Sequence, residues 1–131
     1  MVPVNQPAPS AIMISTLDDL KNALRLFAEE RDWEQFHSPK NLAMALSVEV
    51  AELAEHFQWL TQQESFNISP DRKDAVRHEL ADVLIYLVRL ADRLDIDLLQ
   101  AAESKIAVNA EKYPAESCRG RAERPDFPSS G

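Results

Sequence analysis

The chain reads as an all-α protein, a bundle of four helices, and three observations carry that expectation. Only two glycines occur in 131 residues, and strands joined by tight hairpins would need more. Serine followed by proline occurs at Ser38–Pro39 and again at Ser69–Pro70. A serine N-cap with proline in the first helical position is a helix start. Apolar residues also recur at three- and four-residue steps through most of the chain, which is the period of one helix face.

Taken in order, residues 1–15 hold three prolines and no apolar period, and are expected to form a flexible arm. Thr16 with Asp19 has the spacing of a capping box, and Leu17, Leu20, Leu24 and Phe27 make a helical stripe to about Arg31. The segment DWEQFHSPKN interrupts it. Ser38–Pro39 opens a second helix predicted to reach Leu60, with Leu42, Leu46, Leu53 and Phe57 on its stripe. TQQESFNI reads as a polar connection. Ser69–Pro70 opens a third helix to about Leu94, carrying Val76, Leu80, Val83, Leu84, Leu87, Leu90 and Ala91. Asp95 or Asp97 caps a fourth, with Leu98, Leu99, Ala102 and Ile106, and Pro114 stops it. The predicted organisation is an arm over 1–15, a helical domain over 16–114 and a mobile tail over 115–131, where no stripe continues.

Charge narrows the range of partners. Fourteen basic against 22 acidic side chains give a net charge of -8, which opposes binding to a phosphate backbone or an anionic bilayer. No nucleic acid and no membrane partner is expected. The longest apolar run, Val83 to Val88, is far too short to span a bilayer. The start lacks the basic region of a signal peptide, so a cytoplasmic location is expected. Cys118 stands alone, which leaves no disulfide framework.

The chemistry lies in acids that intrude on apolar stripes. Glu49 falls three residues after Leu46 and four before Leu53, on the core face of the second helix, with Glu52 one turn later. In ELADVLIYLV, residues 79–88, Asp82 is surrounded by apolar neighbours and Glu79 precedes it by one turn. An unpaired buried carboxylate costs several kcal/mol, on the order of the penalty for any unsatisfied buried polar group. Two such helices packed antiparallel would converge the four acids, where like charges oppose joint ionisation. A divalent cation relieves that opposition. Oxygen ligands alone suit a hard ion, Mg²⁺ or Mn²⁺, and the lack of cysteine or histidine in the quartet disfavours zinc. Two other readings stay open at this point. Arg77 or Arg89 could neutralise the acids in a structural salt-bridge cluster, making the chain a non-catalytic helical interaction module. A di-iron carboxylate bundle would need Glu-x-x-His pairs, and neither His56 nor His78 has that spacing.

The paired acids, with FAEERDWEQFHSPKNL at 27–42, FQW at 57–59 and KIAVNAEKYP at 105–114, resemble the all-α MazG-like nucleoside triphosphate pyrophosphohydrolases, most closely the dCTP pyrophosphatase branch. The resemblance covers about residues 17–114. It implies a four-helix MazG-like bundle that assembles as a homodimer or a dimer-of-dimers tetramer and hydrolyses a nucleoside triphosphate to monophosphate and pyrophosphate. The implied role is house-cleaning of the nucleotide pool, with dCTP or a related, modified deoxynucleotide as the leading substrate. It implies Mg²⁺ held by Glu49, Glu52, Glu79 and Asp82, with Glu49 or Glu52 activating water. It further implies a base and sugar pocket of Trp33, Phe36, His37, Trp59 and Tyr86, phosphate contacts from Lys105, Asn109 and Lys112, and Tyr113 as a further substrate-binding residue. Spacing supports two of these groups independently. Tyr86 follows Asp82 by four residues, and Lys105, Asn109 and Lys112 share one helix face. The open alternative is a family member that has lost activity and kept the fold, and core packing is the alternative for either tryptophan.

Overall fold

The computed structural model describes residues 13–121, and among them every regular element is helical. The first twelve residues of the expected arm and residues 122–131 of the expected tail lie outside the described residues. The chain divides into two compact units, Met1–Asp95 and Ile96–Gly131.

The first unit begins with α1, Leu17–Glu30, opened by the capping box read from the sequence: Thr16 Oγ1 accepts from the Asp19 amide, and Asp19 Oδ2 accepts from the Thr16 amide. Its far end is a Schellman motif built without glycine. Asp32 takes the left-handed conformation at φ 53, the Asp32 amide bonds to the Glu29 carbonyl, and the Trp33 amide bonds to that of Ala28. The apolar contact that accompanies such a cap is present as Trp33 edge-on to Phe27, with ring centroids 5.7 Å apart. A single 3₁₀ turn, Glu34–Phe36, then leads to Ser38, whose Oγ caps α2, Pro39–Glu55, by accepting from the Asn41 amide.

Helix α2 ends at Glu55 and not at Leu60. The cause lies just beyond it. Thr61 is extended, because it caps a one-turn helix α3, Gln62–Ser65, through a Thr61/Glu64 capping box, and an extended residue cannot continue a helix from the other side. The intervening residues close by short-range bonds such as Leu60 to the Phe57 carbonyl, while Arg72 Nη1 donates to the His56 carbonyl at 3.0 Å. Ser69 caps the long helix α4, Pro70–Arg93, which Asp95 terminates in the left-handed conformation at φ 54.

Helix α4 packs chiefly against α2 and also against α1. Their direction follows from three contacts: His56 lies by Arg72, Glu49 by Glu79, and His37, just before α2, by Arg89. As numbers fall along one element they rise along the other, so α2 and α4 are antiparallel. Ala28, Leu42, Val76, Val88 and Ala91 are buried. Much of the predicted stripe of α4 is not covered in the single chain: Leu80, Leu84 and Leu87 are 52%, 41% and 38% exposed.

The second unit holds α5, Leu98–Lys112, capped by Asp97, whose Oδ1 accepts from the Gln100 amide. Pro114 follows it, as expected, and then starts a further turn, α6, Ala115–Cys118, within the segment read as tail. Among the described residues, no helix is long and apolar enough to cross a membrane.

Candidate functional site

The antiparallel pairing of α2 and α4 puts the intruding acids opposite one another. One carboxylate oxygen each from Glu49, Glu79 and Asp82 lies within 4.8 Å of the others. Glu52 is outside that converging set but lies near enough to Glu49 for its charge to act on that carboxyl. Glu49 Oε2 and Glu79 Oε2 are buried with no hydrogen-bond partner. Burial is the larger cause, and the neighbouring carboxyls of Glu79, Glu52 and Asp82 the next, that pushes the Glu49 carboxyl from its ordinary 4.5 up to about 7. Two orphaned oxygens in an all-oxygen set fit a hard divalent cation, which would satisfy both and relieve the repulsion.

The salt-bridge alternative has no support among the described residues. Arg77 Nη1 pairs with Asp74 at 2.8 Å on the same helix. Arg89 pairs with Glu34 at 3.4 Å and Asp92 at 3.3 Å. Neither cation is spent on the acidic cluster.

The aromatic candidates are placed differently from one another. Trp33 packs edge-on to Phe27 and also to His37, with centroids 6.4 Å apart in the latter pair. Phe36 is 60% exposed and its carbonyl accepts from Asn41 Nδ2. Tyr86 is half-buried on α4, one turn beyond Asp82. Trp59 does not ride on α2, so a position counted in helical turns from Glu52 does not describe it. It sits in the turn after that helix and is 87% exposed, which removes packing in this chain's core as its role. In the second unit Lys105 and Asn109 lie on α5, the Asn109 carbonyl accepts from the Tyr113 amide at 2.7 Å, and Lys112 Nζ lies 5.7 Å from the centroid of the Tyr113 ring.

Sequence reasoning weighed Arg89 only as a counter-charge for the acids and missed its actual partners. The side chain is 3% exposed, and its Nε donates to His37 Nδ1 at 3.2 Å. Asp92 accepts from Arg89 and, through both oxygens, from Arg25 of α1, which holds its carboxyl below the usual range. Arg93 Nε donates to the His37 carbonyl at 3.0 Å. The signal was in the sequence: Arg89 stands inside the apolar run LVRLA, the same kind of intrusion that exposed the acids.

Residues 44–124 match the MazG-like family. The chain is 50% identical over 109 residues to dCTP pyrophosphatase 1 of Mus musculus, a match covering 82% of this chain and 64% of that protein. It is 49% identical over 111 residues to dCTP pyrophosphatase 1 of Homo sapiens, covering 83% and 65% respectively. The chain thus spans just under two thirds of the length of these relatives. Among solved structures it is similar to a pyrophosphatase from Archaeoglobus fulgidus, with a TM-score of 0.72 and 43% identity over 78% of this chain and 95% of that one.

Proposed function

The chain belongs to the MazG-like family, and on that premise we propose that it is a nucleotide-pool enzyme that hydrolyses a nucleoside triphosphate between the α and β phosphates, releasing monophosphate and pyrophosphate. The observation that carries the proposal is the pair of buried, unpartnered oxygens on Glu49 and Glu79 beside Asp82. A purely structural core would not retain them, because nothing among the described residues compensates their burial. The identity of about half to dCTP pyrophosphatase 1 favours dCTP, or a related or modified deoxynucleotide, as substrate.

Glu49, Glu79 and Asp82, with Glu52 at the edge, would hold Mg²⁺, with Mn²⁺ as a substitute. When bound, such an ion neutralises triphosphate charge, polarises a phosphoryl oxygen and lowers the pKa of a water. The chain's own residues do the rest. Glu52, adjoining Glu49 but outside the converging oxygens, is the better placed of the two to take the proton of the attacking water. Trp33, Phe36, Trp59 and Tyr86 offer faces and edges for the base and sugar, and His37 offers a ring nitrogen. Lys105, Asn109 and Lys112 are proposed as phosphate contacts on the family resemblance and on the shared face of α5, with Tyr113 as a further substrate-binding residue. The molecule is further proposed to work as a homo-oligomer.

Phosphorus NMR of the purified protein with Mg²⁺ and a panel of common and modified nucleotides tests the reaction. Monophosphate and intact pyrophosphate are expected, and Asp82→Asn should lower turnover by orders of magnitude while keeping the helical spectrum. Orthophosphate and a diphosphate as first products would refute the reaction, and near-normal turnover by Asp82→Asn would refute the site.

A further inference from the structure

Asp82, Tyr86, Arg89 and Arg93 follow one another at steps of four, three and four along α4, so they form one face of a single helix. Asp82 marks the acidic cluster. Arg89, seven residues on, lies about 10 Å along the axis, and there it meets His37. The histidine is held at three atoms: its amide donates to the Glu34 carbonyl, its carbonyl accepts from Arg93 Nε, and its Nδ1 accepts from Arg89 Nε.

The last bond has a chemical consequence. A guanidinium has donors and no acceptor, and it does not lose its proton in a protein. The Nδ1 it faces must therefore be the bare nitrogen of the ring, which leaves the proton on Nε2. Burial, and then the charges of Arg89 and Arg93, also keep the imidazole from taking a second proton, against an opposing pull from Glu34. Arg89 cannot turn away to offer a different atom, since Glu34 and Asp92 engage its other nitrogens and Arg25 in turn anchors Asp92.

We propose that Arg89 is a positioning residue of the nucleotide site: by donating to His37 Nδ1 it fixes the His37 tautomer with the proton on Nε2, so that His37 serves as a donor, and not an acceptor, toward an acceptor atom on the nucleobase. The inference rests on the nucleotide reading above only for the identity of what Nε2 meets. A ring carbonyl or an unprotonated ring nitrogen satisfies such a donor. A base presenting an N–H at that place is rejected, because two donors would face each other with neither satisfied.

Two measurements test it. Long-range proton–nitrogen NMR of the full chain labelled on histidine, with no nucleotide present, should show His37 Nδ1 as the unprotonated nitrogen and Nε2 as the protonated one at neutral pH. In Arg89→Lys, which keeps the charge beside Asp92 and Glu34 but loses the Nε donor, the two tautomers should both be populated. A wild-type His37 protonated on Nδ1, or a spectrum that Arg89→Lys leaves unchanged, would overturn the proposal. This arm is independent of any reaction and stands apart from the proposed hydrolysis.

The second arm is kinetic. Arg89→Lys should raise KM about tenfold with kcat within about twofold, and in a His37→Ala background the same change should have no further effect on KM. A KM effect that persists at full size without the imidazole would mean that Arg89 does not act through His37, and the positioning role would fall.

Discussion

A carboxyl that titrates near 7, as that of Glu49 does, makes the fold sensitive to pH in a definite direction. In the unfolded chain the same group would titrate near its ordinary 4.5, so between those values the folded chain holds a proton that the unfolded chain has released. That contribution to stability is complete below the unfolded value and is lost as pH rises through the folded one. With a chelator present, the wild-type denaturant midpoint should therefore fall as pH rises from about 4.5 to about 7, and Glu49→Gln should flatten that fall. Mg²⁺ should restore more stability at the upper end than at the lower. A wild-type slope that Glu49→Gln leaves intact would show that another group is responsible. Trp59 gives a second expectation at this scale. Stacking on a base is worth about 1 to 3 kcal/mol, so Trp59→Ala should raise KM roughly ten- to a hundredfold. Because the ring is 87% exposed, the urea midpoint should barely move; a large stability loss with unchanged KM would exclude the stacking role. The acids were legible from sequence because each breaks an apolar period. Arg89 breaks one too, but which partner it reaches depends on the turn at Glu34–Phe36, and no periodicity encodes a tertiary hydrogen bond.

Among the elements, the helix starts were the most legible, since each is written in local chemistry. Thr16 with Asp19, Ser38 with Pro39, and Ser69 with Pro70 all cap as their side chains dictate, and of the two candidates Asp97 caps α5 while Asp95 ends α4. Helix ends were less legible. The stripe through Phe57 and Leu60 continues past the true end of α2, and the stop is set from beyond it by the Thr61/Glu64 capping box. That box is present in TQQE, but one helical turn has no stripe to announce it. Ser69→Ala removes a single cap bond, the acceptance from the Arg72 amide, and should lower stability by about 1 kcal/mol. Urea denaturation checks this, and KM should be unchanged because the cap is more than two turns from Glu79 along α4. A variant as stable as the wild type would mean that Pro70 alone sets the start of the helix.

At the scale of the molecule, two features of the first unit are left open-faced. Leu80, Leu84 and Leu87 make an uncovered apolar stripe on α4, and Met44, Val48 and Val50 are exposed on α2. Exposed apolar residues in such rows are what an interface would cover, and the proposed homo-oligomer would supply one. Light scattering on a sizing column should give a mass above that of one 14.8 kDa chain, and Leu84→Glu should lower it by placing a charge in the contact. A wild-type protein that runs as a monomer would reject the interface. Legibility at this scale was partial: the stripe itself was plain in the sequence, but a stripe facing its own core and one facing a second copy have the same period. In the proposed homo-oligomer the uncovered leucines would also make stability a matter of mass action. If folding is completed only on association, the apparent melting temperature is not a constant of the chain but climbs with protein concentration, and dilution alone should melt it at a temperature where the concentrated protein survives.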